Sequence, residues 1–189
     1  MIRKQNWVRN LIYYAVAAGL GFGIHFLFDW SPNLLFAVLS PVSESVWEHS
    51  KLVIWPLLIV GLIYTHKDRK QRGSWYLGIL AAWALILLYG GIVNIKMGII
   101  SMPVNIAAFL IILALGFLVA VTVDVPPSWN AMLLMAVGVL IALVMIFTFQ
   151  VPKGAFFADL ERADALYRYL EIDKKKIEYE EEDLRTQAP

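Results

Sequence analysis

Apolar residues gather along this chain in blocks too long for strands. They dominate residues 11–30, 52–64, 75–93, 103–123 and 129–150, with short polar stretches between. A helix needs ~20 residues to cross a ~30 Å hydrocarbon layer, and lipid admits helices because they satisfy their own backbone N–H and C=O groups. The pattern therefore predicts an all-α polytopic bundle of five transmembrane helices. The second block, 52–64, is too short by itself, and SPVSESVWEHSK precedes it. A full second span over 41–65 must draw part of that polar stretch below the membrane surface, Glu48 and His49 included. Ionisable groups held there are expensive and usually face the bundle interior or a wet cavity.

The links between blocks carry the expected helix signals. Ser40-Pro41 has the form of an N-cap followed by proline at the first helical position, and Pro103 opens the fourth span in the same way. Gly19, Gly21 and Gly23 make the first span suited to close helix approach. Residues 31–39, 66–73, 94–102 and 124–130 form the connections. Trp7, Trp30, Trp47, Trp75 and Trp129 fall near span ends, where an aromatic belt would sit. Met132, Met135 and Met145 are expected to pack inside the bundle. Beyond a boundary at residue 150, Phe156, Phe157, Leu160, Ala163, Leu166, Tyr167 and Leu170 recur at helical spacing, with Asp159 as a cap. The tail (151–189) thus reads as a C-terminal amphipathic helix ending in a solvated charge run.

Composition sharpens the class. Of the 189 residues, 60% are hydrophobic and 16% charged, against about a quarter charged in soluble domains. Most of the acidic residues lie past residue 150, so the first 150 residues are poorer still in charge. The net charge of +1 argues nothing about nucleic acid, but no basic patch interleaved with aromatics occurs, so no nucleic-acid partner is expected. The partner implied is the lipid bilayer, with other membrane proteins left open. Without cysteine, disulfides, thiolate metal sites and cysteine nucleophiles are excluded. The first apolar stretch is longer than the ~7–15 residues of a signal-peptide core, so the first span reads as uncleaved. Arg3, Lys4, Arg9, Lys67, Arg69, Lys70 and Arg72 fall on one side of a five-span layout, Lys51 and Lys96 on the other. The positive-inside rule then places the N-terminus in the cytoplasm and the C-terminus outside the cell membrane, although Lys153, Arg162 and Arg168 pull the other way.

That layout gathers His25, Asp29, Glu44, Glu48, His49 and Lys51 on the outer side, with Asn94, Lys96 and Asn105. His25 and Asp29 share a helical face, as do Glu44 and Glu48, whereas His49 is rotated by ~100° from Glu48. Three readings stand open. In one, the charges are paired helix-end residues, Glu48 with Lys51 and His25 with Asp29. In another, a glutamate and a histidine form a protonatable or ligand-binding site in an outer cavity, burial raising the glutamate pKa. In the third, His25, Asp29, Glu48 and His49 bind a divalent metal, as imidazole and carboxylate can. No metalloprotease, nucleophile-elbow, phosphate-loop or dinucleotide motif occurs, and no cofactor is implied. The functional classes are a non-enzymatic membrane protein with an outer polar pocket for a proton, ion or small ligand, an accessory subunit of a membrane complex, and a membrane-embedded metal-dependent hydrolase.

Residues 25–56, HFLFDW and then SPVSESVWEHSKLVIWP, resemble the signature of an uncharacterised family of small bacterial multi-pass membrane proteins. Its pattern runs H-x-x-Y-x-W, then P-V-N-E-S-V-W-E-H-x-K-L-x-x-x-P. Phe28 stands at the tyrosine position and Ser43 at the asparagine. After the last span such proteins continue P-P-x-x-x-L-F-x-D. Pro152, Phe157 and Asp159 keep part of that pattern, and the charged tail departs from it. The resemblance implies membrane location and singles out Glu44, Glu48 and His49; it implies no activity.

Overall fold

Asn6 starts the first helix, its side-chain oxygen accepting the Arg9 N–H at 3.1 Å. The computed structural model describes residues 6–160, and regular structure among them is helical throughout. Of the tail expected over 151–189, residues 151–160 are described and hold a single 3-10 turn, Ala155–Phe157; the rest of the expected amphipathic helix and the charge run lie outside the described residues. α1 (Trp7–His25) gives way at Phe26 to the single turn α2 (Leu27–Trp30). A short helix, α3 (Leu34–Leu39), occupies what the sequence suggests is only a link, and Asn33 caps it. α4 (Val46–His49) and α5 (Lys51–Tyr64) follow, then α6 (Arg72–Tyr89), α7 (Met102–Thr122) and α8 (Asn130–Phe149). Five stretches are long and apolar enough to cross a membrane: Trp7–Trp30, Val46–Tyr64, Arg69–Lys96, Met102–Thr122 and Pro127–Phe149.

The second stretch does not begin at Ser40-Pro41. Ser40 is fully buried, and its hydroxyl donates to the His25 carbonyl at 3.1 Å and accepts from the Phe28 N–H at 3.3 Å. It ties the α1–α2 elbow instead of capping a helix. Ser45 takes the capping role, its hydroxyl accepting the Glu48 N–H at 3.2 Å. Serine three residues before glutamate is the spacing of a capping box.

Chain direction alternates from α1 to α5 to α6 to α7, and α8 runs parallel to α6. Tyr64 near the end of α5 donates to Asn10 near the start of α1 at 3.0 Å, while His25 and His49 meet at the other end. α5 lies deepest, with Val53, Leu57 and Val60 fully buried. α8 enters through one stripe, Leu133, Val137, Leu140, Val144 and Thr148, the recurrence of a helix with one packed face. Met132, Met135 and Met145 lie off that stripe and are exposed, contrary to expectation.

Small residues set the closest approaches. A Cβ on Gly78 would stand 2.5 Å from the Gly116 carbonyl oxygen, and one on Gly116 would meet the Ala82 methyl at 2.6 Å. Gly78 and Ala82 of α6 therefore mesh with Gly116 and Ala120 of α7, the small-xxx-small contact that lets helix backbones touch. In α1 only Gly21 acts this way, a Cβ there falling 2.5 Å from the Phe109 ring; Gly19 and Gly23 have nothing within 4 Å. The aromatic belt is likewise partial. Trp7, Trp30 and Trp129 are exposed, but Trp75 fills the notch left by Gly61, and Trp47 stacks among Trp83, Phe147 and Phe157. Phe157 brings the chain beyond α8 back over α4, and the Leu160 N–H reaches the Glu44 carbonyl at 3.4 Å.

The glycine contacts yield the first prediction. Gly78→Leu should destabilise the folded protein in detergent by about 1–3 kcal/mol through overpacking. Gly138→Leu, placed where nothing lies within 4 Å, should leave the thermal unfolding midpoint unchanged. Equal midpoints for the two variants would refute the α6–α7 contact.

Candidate functional site

The turn from Ser45 to Lys51 sorts its ionisable residues by rotation. Glu48 and His49 are adjacent, so a step of ~100° sends their side chains into different surroundings. Glu48 points inward and is 4% exposed. Its Oε2 lies 2.5 Å from Lys51 Nζ and accepts the Val42 N–H at 2.9 Å, while Oε1, at 3.2 Å, shares the single Thr148 hydroxyl proton with the Val144 carbonyl at 2.8 Å. Lys51 is fully buried and donates also to the carbonyls of Ala37 at 2.7 Å and Ser40 at 3.1 Å. An ammonium has three protons, and each has an acceptor here. Two of those acceptors lie at the end of α3, where the helix dipole favours a cation. Trp55 Nε1 adds a bond to Val38 O at 3.1 Å.

His49 faces the opposite way. Its Nδ1 is 2.9 Å from the Ser45 carbonyl, which can only accept, so Nδ1 carries a proton. Nε2 lies 3.2 Å from Glu44 Oε2, and the His25 ring centroid is 5.4 Å from that of His49. One ligand atom from each of His25, Glu44 and His49 falls within 4.8 Å of the other two. The hydrogen bond from His49 holds the Glu44 carboxyl below the usual carboxylate range; burial opposes it, and the charges of His49 and His25 add to it.

These three residues form one wall of a cavity of about 620 Å³. Phe22, Phe26, Leu52, Ile106, Phe109 and Ile112 supply apolar surface. Across it stands a second polar group. The Tyr89 hydroxyl donates to Asn105 Oδ1 at 2.7 Å, and Asn94 Nδ2 donates to the same oxygen at 3.0 Å and to Ile99 O at 3.0 Å. Tyr89 and Asn94 are brought together by a π-helical turn, Gly90–Lys96, that extends α6. Gly90 at its start admits Val46, since a Cβ there would fall 2.3 Å from a valine methyl.

The expected residues thus separate. His25, Glu44 and His49 come together, Glu48 and Lys51 form their own buried pair, and Asp29 is exposed on α2 away from the cavity wall. The metal set of His25, Asp29, Glu48 and His49 does not assemble, because Lys51 engages Glu48 and the helix breaks at Phe26 before Asp29. Nor do Glu44 and Glu48 share a helical face, since the helix starts only at Val46. The expected rise in a glutamate pKa is reversed at Glu44, where the bond from His49 outweighs burial. Thr148 and Tyr89 were not legible as partners. Thr148 is 100 residues from Glu48, and five residues from Tyr89 to Asn94 put two side chains on different faces of an α-helix but near one face of a π-helix.

An all-α fold with five helices of membrane-crossing length, and a cavity with polar walls lined from α1, α4, α5, α6 and α7, defines the class of this protein. Its family follows from sequence: the chain belongs to DUF6512, a family of unknown function, whose family model matches residues 1–164. No curated protein and no solved structure matches it.

The buried pair gives the second prediction. Glu48→Gln leaves Lys51 charged in an apolar interior, which should cost about 3–5 kcal/mol. The double variant Glu48→Gln/Lys51→Met should recover much of that loss. Thermal unfolding in detergent distinguishes the cases, and a double variant no more stable than Glu48→Gln alone would show that the two residues are not coupled.

Proposed function

We propose that this chain is an integral membrane protein of the cell membrane that binds a small amphiphilic molecule in the cavity between α1, α4, α6 and α7. The observation carrying this reading is the cavity itself. Its volume, about 620 Å³, is that of a small-molecule site. One wall is ionisable, with His25, Glu44 and His49; the facing wall offers the Tyr89–Asn94–Asn105 network, and aromatic and aliphatic side chains line the space between. An occupant with a polar head and an apolar body satisfies both parts. Glu48 and Lys51 serve this site by shape and not by contact, since each already uses its hydrogen-bonding capacity within the protein.

Membrane insertion is supported by the outer surface. Leu11, Ile12, Ile111, Leu134, Met135 and Val139 are each at least half exposed, on helices α1, α7 and α8. A continuous coat of that kind is disfavoured in water and matched to lipid. The basic turn with Lys67, Arg69, Lys70 and Arg72 lies at the end of the bundle opposite His25 and His49. The positive-inside rule then turns the cavity end away from the cytoplasm.

Alkaline carbonate washing should leave the protein in the membrane pellet; release into the supernatant would remove the membrane reading. Native mass spectrometry of protein purified in mild detergent should show a co-purifying small molecule. Ile106→Trp, which fills the cavity from α7, should abolish that adduct while the protein remains folded. An adduct that persists unchanged in Ile106→Trp would place the bound molecule elsewhere.

A further inference from the structure

We propose that His25, Glu44 and His49 form a binding site for a divalent transition metal of the zinc class, with an open coordination position facing the cavity. This deepens the ligand-binding reading and rests on it only for that open position. The donors come from three separate places: the end of α1, the irregular segment before α4, and α4 itself. Their ligand atoms already lie within 4.8 Å of one another. In a tetrahedral site with metal–ligand distances of ~2.0–2.1 Å, neighbouring donor atoms are ~3.3 Å apart. Glu44 Oε2 and His49 Nε2, at 3.2 Å, already stand at that separation. His25 completes the set by a side-chain movement of about an ångström or more, within the reach of rotamer adjustment.

The orientation of His49 adds an independent argument. Its Nδ1–H donates to the Ser45 carbonyl at 2.9 Å. A ligating histidine characteristically gives its other ring N–H to a carbonyl or carboxylate, which fixes the tautomer and turns the free nitrogen to the metal. Here that nitrogen is Nε2, and it faces Glu44 and the cavity. A pair of imidazoles with one carboxylate is a donor set zinc accepts with a fourth position left for water or an oxygen of a bound molecule. Charge is consistent with this. Glu48 is neutralised by Lys51 at 2.5 Å, so Glu44, beside the two imidazoles, is the carboxylate placed to balance a dication.

The test uses tag-free, full-length protein in detergent, stripped with a chelator and titrated with Co²⁺ alone. One equivalent should bind with visible d–d absorption, and Zn²⁺ should displace it. His49→Gln and Glu44→Gln should each weaken Co²⁺ binding by about 100-fold or more, while Asp29→Asn leaves it unchanged. X-ray absorption on the zinc-loaded wild type provides a readout that needs no variant: scattering from two imidazoles is expected. Folded wild-type protein that binds no stoichiometric Co²⁺, or zinc without imidazole ligands, overturns the proposal. Ile106→Trp separates the two readings, because it should abolish the small-molecule adduct yet keep Co²⁺ affinity within about threefold. Loss of metal binding in wild type with the adduct retained would end this inference and leave the pocket reading standing.

Discussion

The Glu48–Lys51 ion pair is the constraint on which the cavity end of this protein depends. The apolar run 52–64 is shorter than a helix of membrane-crossing length needs, and two charges enter the bundle with it. Both are then answered completely: the ammonium by Glu48 and two carbonyls, the carboxylate by Lys51, a backbone amide and Thr148. Taking such a pair out of water is expensive, and its attraction offsets that cost only with good geometry and full hydrogen bonding. Breaking it is worse than never having it. The pair consequently acts as a pin. It draws the end of α3, the 40–42 segment and the end of α8 to one point, and so fixes where Glu44 and His49 can be.

Cavity shape depends on a second departure from regular geometry. α6 loosens into a π-helical turn at Gly90, where the bare glycine lets Val46 approach. The wider turn swings Asn94 toward Tyr89, and both meet Asn105 of α7. Such turns cost stability relative to an α-helix and recur at functional sites. Here the turn builds the neutral polar wall facing the charged one.

How much of this was legible follows from which interactions are local. The five helices rest on apolar runs, and hydropathy reports them directly. Glu48 and Lys51 are three residues apart on one helical turn, so their pairing was open to inference. Glu44 was misplaced because Ser40-Pro41 and Ser45-x-x-Glu48 are both credible helix starts, and the choice turns on Ser40 being drawn into the elbow by His25 and Phe28, a contact made only on folding. The tryptophans show the same limit. Position near a span end suggests a lipid interface for all five, yet Gly61 opens a notch for Trp75, and Trp47 is covered by a segment that returns after α8. Thr148 carries no local signal at all; a threonine late in an apolar helix ordinarily bonds back to its own turn, as this one also does with Val144.

The two faces of the Ser45–Lys51 turn differ in burial as well as in chemistry. On the inner face Glu48 and Lys51 are engaged by each other, by backbone groups and by Thr148, so neither charge can shift without losing a partner. On the cavity face His49 is held by its bond to Ser45 and pairs with Glu44. Glu44 sits in irregular chain ahead of the helix, and His25 ends a helix that breaks at the next residue. A fixed imidazole flanked by two groups from outside its own helix is a poor device for stability, since a partly exposed ion pair contributes little. It is a good device for closing on something that enters the cavity. Glu48 of the buried pair and His49 of the cavity-facing trio are adjacent on the same turn, and that offset joins the structural role of this stretch to its chemical one.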